Sequence, residues 1–119
     1  MTGVQTCALP ISPHIDFADL VGLMDKRLPS NIDMVMERHG KFLIGEWKRP
    51  NEEISLGQQI LLKQFAKLPN FTVLIVVGDT DNGMNVSKVW QLRYDESWSF
   101  IGSSTKDFKD YLMAWDKNA

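Results

Sequence analysis

The sequence predicts a small α/β domain, a sheet flanked by helices, and three observations predict it. Two strand-like runs, Ile32–Glu37 and Lys41–Lys48, flank a tight His39-Gly40 turn. Phe71–Val77 is an unbroken β-branched and aromatic run, as expected of a strand buried on both faces. Amphipathic helical stretches stand before, between and after the strand-like runs, and such alternation belongs to one layered α/β fold.

The opening segment Met1–Ile11 (MTGVQTCALPI) has no charge, no apolar periodicity and a late proline. It lacks the basic n-region and long apolar core of a signal peptide. It resembles the in-frame translation of a sequencing-library adapter, so it is set aside as a non-native scar. Residues 12–119 are then expected to form a single domain, with native residues missing upstream.

Asp16 is placed to cap a first helix, with Phe17, Leu20, Val21 and Met24 on one face, and Pro29 stops it. The hairpin follows; its two-residue turn needs positive φ, which glycine accepts and histidine tolerates better than most. Arg49–Ile54 is a polar loop. Ser55 caps a second helix through about Leu68, with Ile60, Leu61, Phe65 and Leu68 as its expected buried stripe. After the Phe71–Val77 strand, Gly78–Gly83 reads as a turn, and Val86–Arg93 and Trp98–Ile101 as strands. Ser104 with Asp107 resembles a capping box before a last helix that aligns Phe108, Tyr111, Leu112 and Trp115.

Composition narrows the function. The 119 residues suit one domain, and the 44% hydrophobic share is that of a globular chain. One cysteine, Cys7, excludes a disulfide scaffold and a multi-cysteine zinc site. The longest apolar run, Val73–Val77, is far short of the roughly 20 residues of a membrane span. A net charge of −2 argues weakly against a purely electrostatic nucleic-acid binder. It leaves room for a nuclease whose acidic residues bind metal.

The hairpin register carries the chemistry. With His39 and Gly40 as the loop, Arg38 faces Lys41, and counting outward brings Asp33 opposite Glu46. Opposed residues share a face, with Cβ atoms roughly 4.5–5.5 Å apart. Lys48, two residues past Glu46, points to the same side. Two opposed carboxylates destabilise a sheet, and a divalent cation is a natural compensation. The simpler alternative is an exposed face on which Lys48 merely neutralises the acids.

Asp33, Glu46, Trp47 and Lys48 follow the D…(D/E)xK pattern of the PD-(D/E)XK nuclease superfamily. The segment Lys48-Arg49-Pro50-Asn51-Glu52-Glu53-Ile54-Ser55-Leu56-Gly57-Gln58 resembles the stretch after that motif in VRR-NUC domains, and archaeal-type Holliday junction resolvases share the core. The resemblance covers roughly residues 30–77 and implies that 12–119 form a single nuclease-like domain. It implies a small restriction-endonuclease-like core with a mixed sheet. It implies that Asp33 and Glu46, with the Trp47 carbonyl, bind Mg²⁺ or Mn²⁺, that Lys48 serves the attacking water, and that Gln58 supports the site. It implies hydrolysis of DNA, with branched or junction substrates, in phage or bacterial replication, recombination or repair, hence the cytoplasm, and by analogy a homodimer. Three features depart from the pattern. Leu28–Asn31 leaves little room for the usual preceding strand, Ile32 precedes Asp33 where proline is common, and a helix acid would be Asp16, Asp19 or an upstream residue.

Other residues carry less. Exposed cations can contact phosphate, which supplies most nucleic-acid affinity, and Arg49 and Lys63, near the motif, are the preferred DNA contacts ahead of Arg38 and Lys41. Trp47 alternates away from the acidic face and reads as core. Asp79, Asp81 and Asn82 fail calcium-loop spacing, and His14 and His39 lack partners at zinc spacing. Trp90, Trp98 and Trp115 read as core or dimer-interface residues. The rival to a nuclease is a non-catalytic interaction module that keeps the fold.

Overall fold

The computed structural model describes residues 30–81 and 83–119. The Met1–Ile11 segment with Cys7, the Asp16–Met24 helix with Asp19, His14 and Asn82 lie outside the described residues. The elements are β1 (Met34–Arg38), β2 (Lys41–Lys48), α1 (Leu56–Ala66), β3 (Phe71–Asp79), β4 (Asn85–Leu92), β5 (Trp98–Gly102) and α2 (Thr105–Asn118). The five strands lie in chain order in one sheet. β2 and β3 are parallel, joined through α1, and every other neighbouring pair is antiparallel, so the sheet is mixed.

His39 and Gly40 take φ of 54° and 82°, the left-handed values that a two-residue hairpin turn demands. The Glu37 carboxylate accepts the Gly40 N–H at 2.8 Å, tightening the turn. The ladder then pairs Arg38 with Lys41 and, at its far end, Met34 with Gly45, which is the expected register.

Two cores lie on opposite faces. Leu43, Leu74, Val76, Val86 and Val89 pack with Phe108 of α2, flanked by Trp47, Tyr111, Leu112 and Trp115. Ile44, Val73, Ile75 and Leu92 pack with Leu62 and Ala66 of α1. Alternate residues of the central strands therefore feed alternate cores, and this is why β3 reads as continuously apolar. β3 continues past the expected end, through Gly78 and Asp79, because pairing with β4 resumes after a bulge at Val77/Gly78.

The stripe expected on α1 is rotated. Ile60 and Leu68 are exposed, whereas Leu62 and Ala66 are buried. Leu61 and Phe65 belong to both candidate stripes, so periodicity alone fits either; the packed face also contains Gln58. Ser55 caps α1 as expected, its Oγ accepting the Gln58 N–H at 3.2 Å. Ser104 caps α2 by accepting the Asp107 N–H at 3.1 Å. The Asp107 carboxylate reaches back to the Ser103 N–H at 2.9 Å. Among the described residues no helix is long and apolar enough to cross a membrane.

Candidate active site

Glu46 and Lys48 lie at the C-terminal end of β2 and, by alternation, on the face that α1 covers. They are 5% and 8% exposed, and they are the buried charged side chains among the described residues. Burying charge is costly unless each group is paired and hydrogen-bonded. Gln58, in the first turn of α1, meets that requirement for both. Its Oε1 accepts from the Lys48 Nζ at 2.7 Å, and its Nε2 donates to Glu46 Oε2 at 2.6 Å. The Lys48 ammonium itself stands 3.9 Å from Glu46 Oε2. The Ser55 cap fixes where α1 starts and so delivers Gln58 to this point. Gln59 turns elsewhere, donating to the Ile54 carbonyl at 3.0 Å.

Asp33 lies one residue before β1, just past the last paired residues of the hairpin, Met34 and Gly45. It is exposed, and its Oδ2 accepts the Trp47 N–H at 2.8 Å. Glu46 in turn draws on the Asp33 backbone N–H. Alternate residues of a strand address opposite neighbours. Phe42 directs its N–H to Asn70, ahead of β3, so Trp47 addresses the β1 edge. The Trp47 carbonyl therefore emerges on the Asp33 side, while the Trp47 ring packs into the α2 core.

Electrostatics mark Glu46 as the strained member. Burial, and then the Asp33 charge, raise its pKa above the ordinary value, and Lys48 and Gln58 only partly oppose this. A cation between the two acids would relieve that repulsion. Two carboxylates and a carbonyl form an all-oxygen donor set, which is what Mg²⁺ or Mn²⁺ prefers. No cluster of three or more His, Cys, Asp or Glu side chains forms among the described residues. A cation here would complete its shell with water and phosphate, as Mg²⁺ commonly does.

The two expected DNA contacts are placed differently. Arg49 follows Lys48 directly and is exposed, its guanidinium 3.9 Å from Asp81 and its N–H held by Glu52 at 2.9 Å. Lys63 lies about 7.5 Å along α1 from Gln58. Its ammonium is 3.4 Å from Glu96 in the β4–β5 turn, a partner it shares with Lys67. The geometry thus gathers Asp33, Glu46, Trp47, Lys48 and Gln58 with Arg49 alongside, and leaves Lys63 toward the other end of the sheet. Of the second-rank cations, Arg38 pairs with Asp116 of α2.

Sequence reasoning missed one part of the surroundings. Trp90 and Trp98 line an open cavity of about 370 Å³ whose wall includes Lys48 itself. Their place on this face follows from the pairing of Trp90 with Ile75 of β3 and of Trp98 with Leu92 of β4, and no local pattern announces which strands will neighbour one another. Comparison with protein-family models, curated proteins and solved structures finds no match.

Proposed function

We propose that this chain is a Mg²⁺- or Mn²⁺-dependent endonuclease of the PD-(D/E)XK type. It would hydrolyse DNA phosphodiester bonds, on branched or junction substrates, in the cytoplasm of a bacterial or phage-infected cell. One observation carries the reading: Glu46 and Lys48 are buried on one sheet face, joined through Gln58, beside Asp33.

The residues divide the work. Asp33, Glu46 and the Trp47 carbonyl would hold the cation. Bound there, a divalent cation lowers the pKa of a coordinated water and offsets charge on the phosphate oxygens. Lys48 presents a fixed positive charge to the attacking water or to the phosphate as negative charge develops, and such preorganised charge costs no reorganisation during reaction. Gln58 sets the direction of both Lys48 and Glu46. Arg49 stands at the rim for a neighbouring phosphate.

Incubation of the chain with flapped, branched and single-stranded DNA and Mn²⁺ tests this. Metal-dependent cleavage is expected, falling by at least about 100-fold in Asp33→Asn and in Lys48→Ala. Cleavage that survives both substitutions would overturn the assignment.

A second reading has its own observation. The Glu46–Gln58–Lys48 network closes on itself, and among the described residues no buried side-chain polar atom lacks a partner. A satisfied network can serve a non-catalytic interaction module that keeps the fold. That reading predicts that Mn²⁺ leaves the melting temperature unchanged.

A further inference from the structure

We infer that the cavity beside Lys48 receives a single unpaired nucleobase next to the scissile phosphate, so that the substrate must offer a flipped-out or single-stranded nucleotide. The inference deepens the nuclease reading and rests on it. The cavity lies on the same sheet face as Glu46, Lys48 and Gln58, between the loop after β2 and strands β3 to β5. Its volume is about 370 Å³, and Ile54, Val77, Trp90 and Trp98 line it, with Lys48 and Glu52 as its charged members. That size is at the lower end of small-ligand sites, roughly 300–1,000 Å³, and suits one ring system rather than a peptide or a helix.

The walls suit a base in particular. Trp98 is 45% exposed and stands two residues from the exposed Phe100 on β5, so the two present a patch of aromatic surface rather than a lone side chain. Trp90 is braced by Phe100, whose ring meets it edge-on at 5.0 Å between centroids. A braced indole and an exposed one around a recess offer stacking surface, the sequence-tolerant means by which proteins hold unpaired bases. The polar end is equally specific. Lys48, the cation expected to face the phosphate, forms part of the cavity wall together with Glu52, whose carboxylate accepts the Arg49 N–H, so the recess is apolar at one end and charged at the other. A nucleotide has the same division, with an apolar base at one end and an anionic phosphate at the other. A base inside a continuous duplex is stacked on both sides and cannot enter; an unpaired one pays little to do so.

The test uses the full chain, in chelator, with a fluorescein-labelled thymidine oligonucleotide and a blunt duplex of the same length, read by anisotropy. The single strand is expected to bind more tightly than the duplex. Trp98→Ala should weaken single-strand binding roughly tenfold, while Trp98→Phe, which keeps an aromatic face, should stay within about threefold. Trp98 is exposed enough for the alanine variant to fold, and circular dichroism checks this. Single-strand binding indifferent to Trp98→Ala, or duplex binding equal to single-strand binding, would overturn the inference. So would a Trp98-dependent dimer in sedimentation that binds no oligonucleotide, since the wall would then belong to a second copy. The assay contains no metal and reads no cleavage. Trp98-dependent binding without any Mn²⁺-dependent cleavage would keep the base subsite and remove the nuclease reading. Mn²⁺-dependent cleavage of blunt duplex that ignores Trp98 would do the reverse.

Discussion

Glu46 is the residue on which charge, burial and proposed function meet. Its pKa is raised from an ordinary value of 4.5, first by burial and then by the Asp33 carboxylate. The folded chain therefore holds this proton more tightly than the unfolded chain does. Its contribution to folding is fully present below the ordinary carboxylate pKa and is lost as pH rises through the raised value. In chelator, the melting temperature of Glu46→Gln relative to the parent should climb as pH goes from about 4 to about 8. A thermal-melt series across that window checks the slope, and a constant difference would contradict the assigned strain. The variant should lose metal-dependent cleavage while gaining stability at neutral pH, the usual trade at a functional site. That Asp33 comes close to Glu46 was legible in the sequence, because a two-residue turn at His39-Gly40 determines the hairpin register as far as Met34 and Gly45. The Asp33 bond to the Trp47 N–H was not legible. It arises where regular pairing stops at Met34 and a side chain takes the next donor.

At the scale of elements, both caps and the packed face of α2 were readable, and the packed face of α1 was not. Ser55 and Ser104 both cap their helices, since an unsatisfied N–H at a helix start selects a short hydroxyl side chain. The buried face of α1 is a tertiary matter. The sheet accepts the side with Gln58, Leu62 and Ala66, which sits over Glu46 and Lys48, and Ile60 is left exposed. α2 shows a related dependence at its entrance. A Cβ on Gly102 would fall against the Asp107 Cβ and within 2.8 Å of its Oδ2. Gly102→Ala must therefore displace the carboxylate that caps the Ser103 N–H. Urea unfolding should show a loss of about 1–3 kcal/mol, mostly in the midpoint rather than the slope. A loss below about 0.5 kcal/mol would mean that α2 starts without this contact.

For the whole molecule, the site is a junction of three parts: the approach to β1, the end of β2 and the start of α1. A ligand that binds only this assembled junction stabilises the entire fold. Mn²⁺ at 100 times its dissociation constant should add about 2.7 kcal/mol to the unfolding free energy. Differential scanning calorimetry should show a rise in melting temperature for the parent and none for Asp33→Asn. An equal rise in both would place any bound Mn²⁺ elsewhere.

The sequence by itself determined the α/β class, the hairpin register, both helix caps and the alignment of Asp33, Glu46 and Lys48. These are short-range consequences of turn length, period and capping chemistry. Only the tertiary structure decided which side of α1 is buried, that Gln58 bridges Glu46 and Lys48, that Lys63 is drawn away to Glu96, and that Trp98 and Lys48 line one cavity. Each of those depends on how the helix seats on the sheet or on which strands pair side by side. Neither is set by residues close in sequence, so local pattern carries no trace of them.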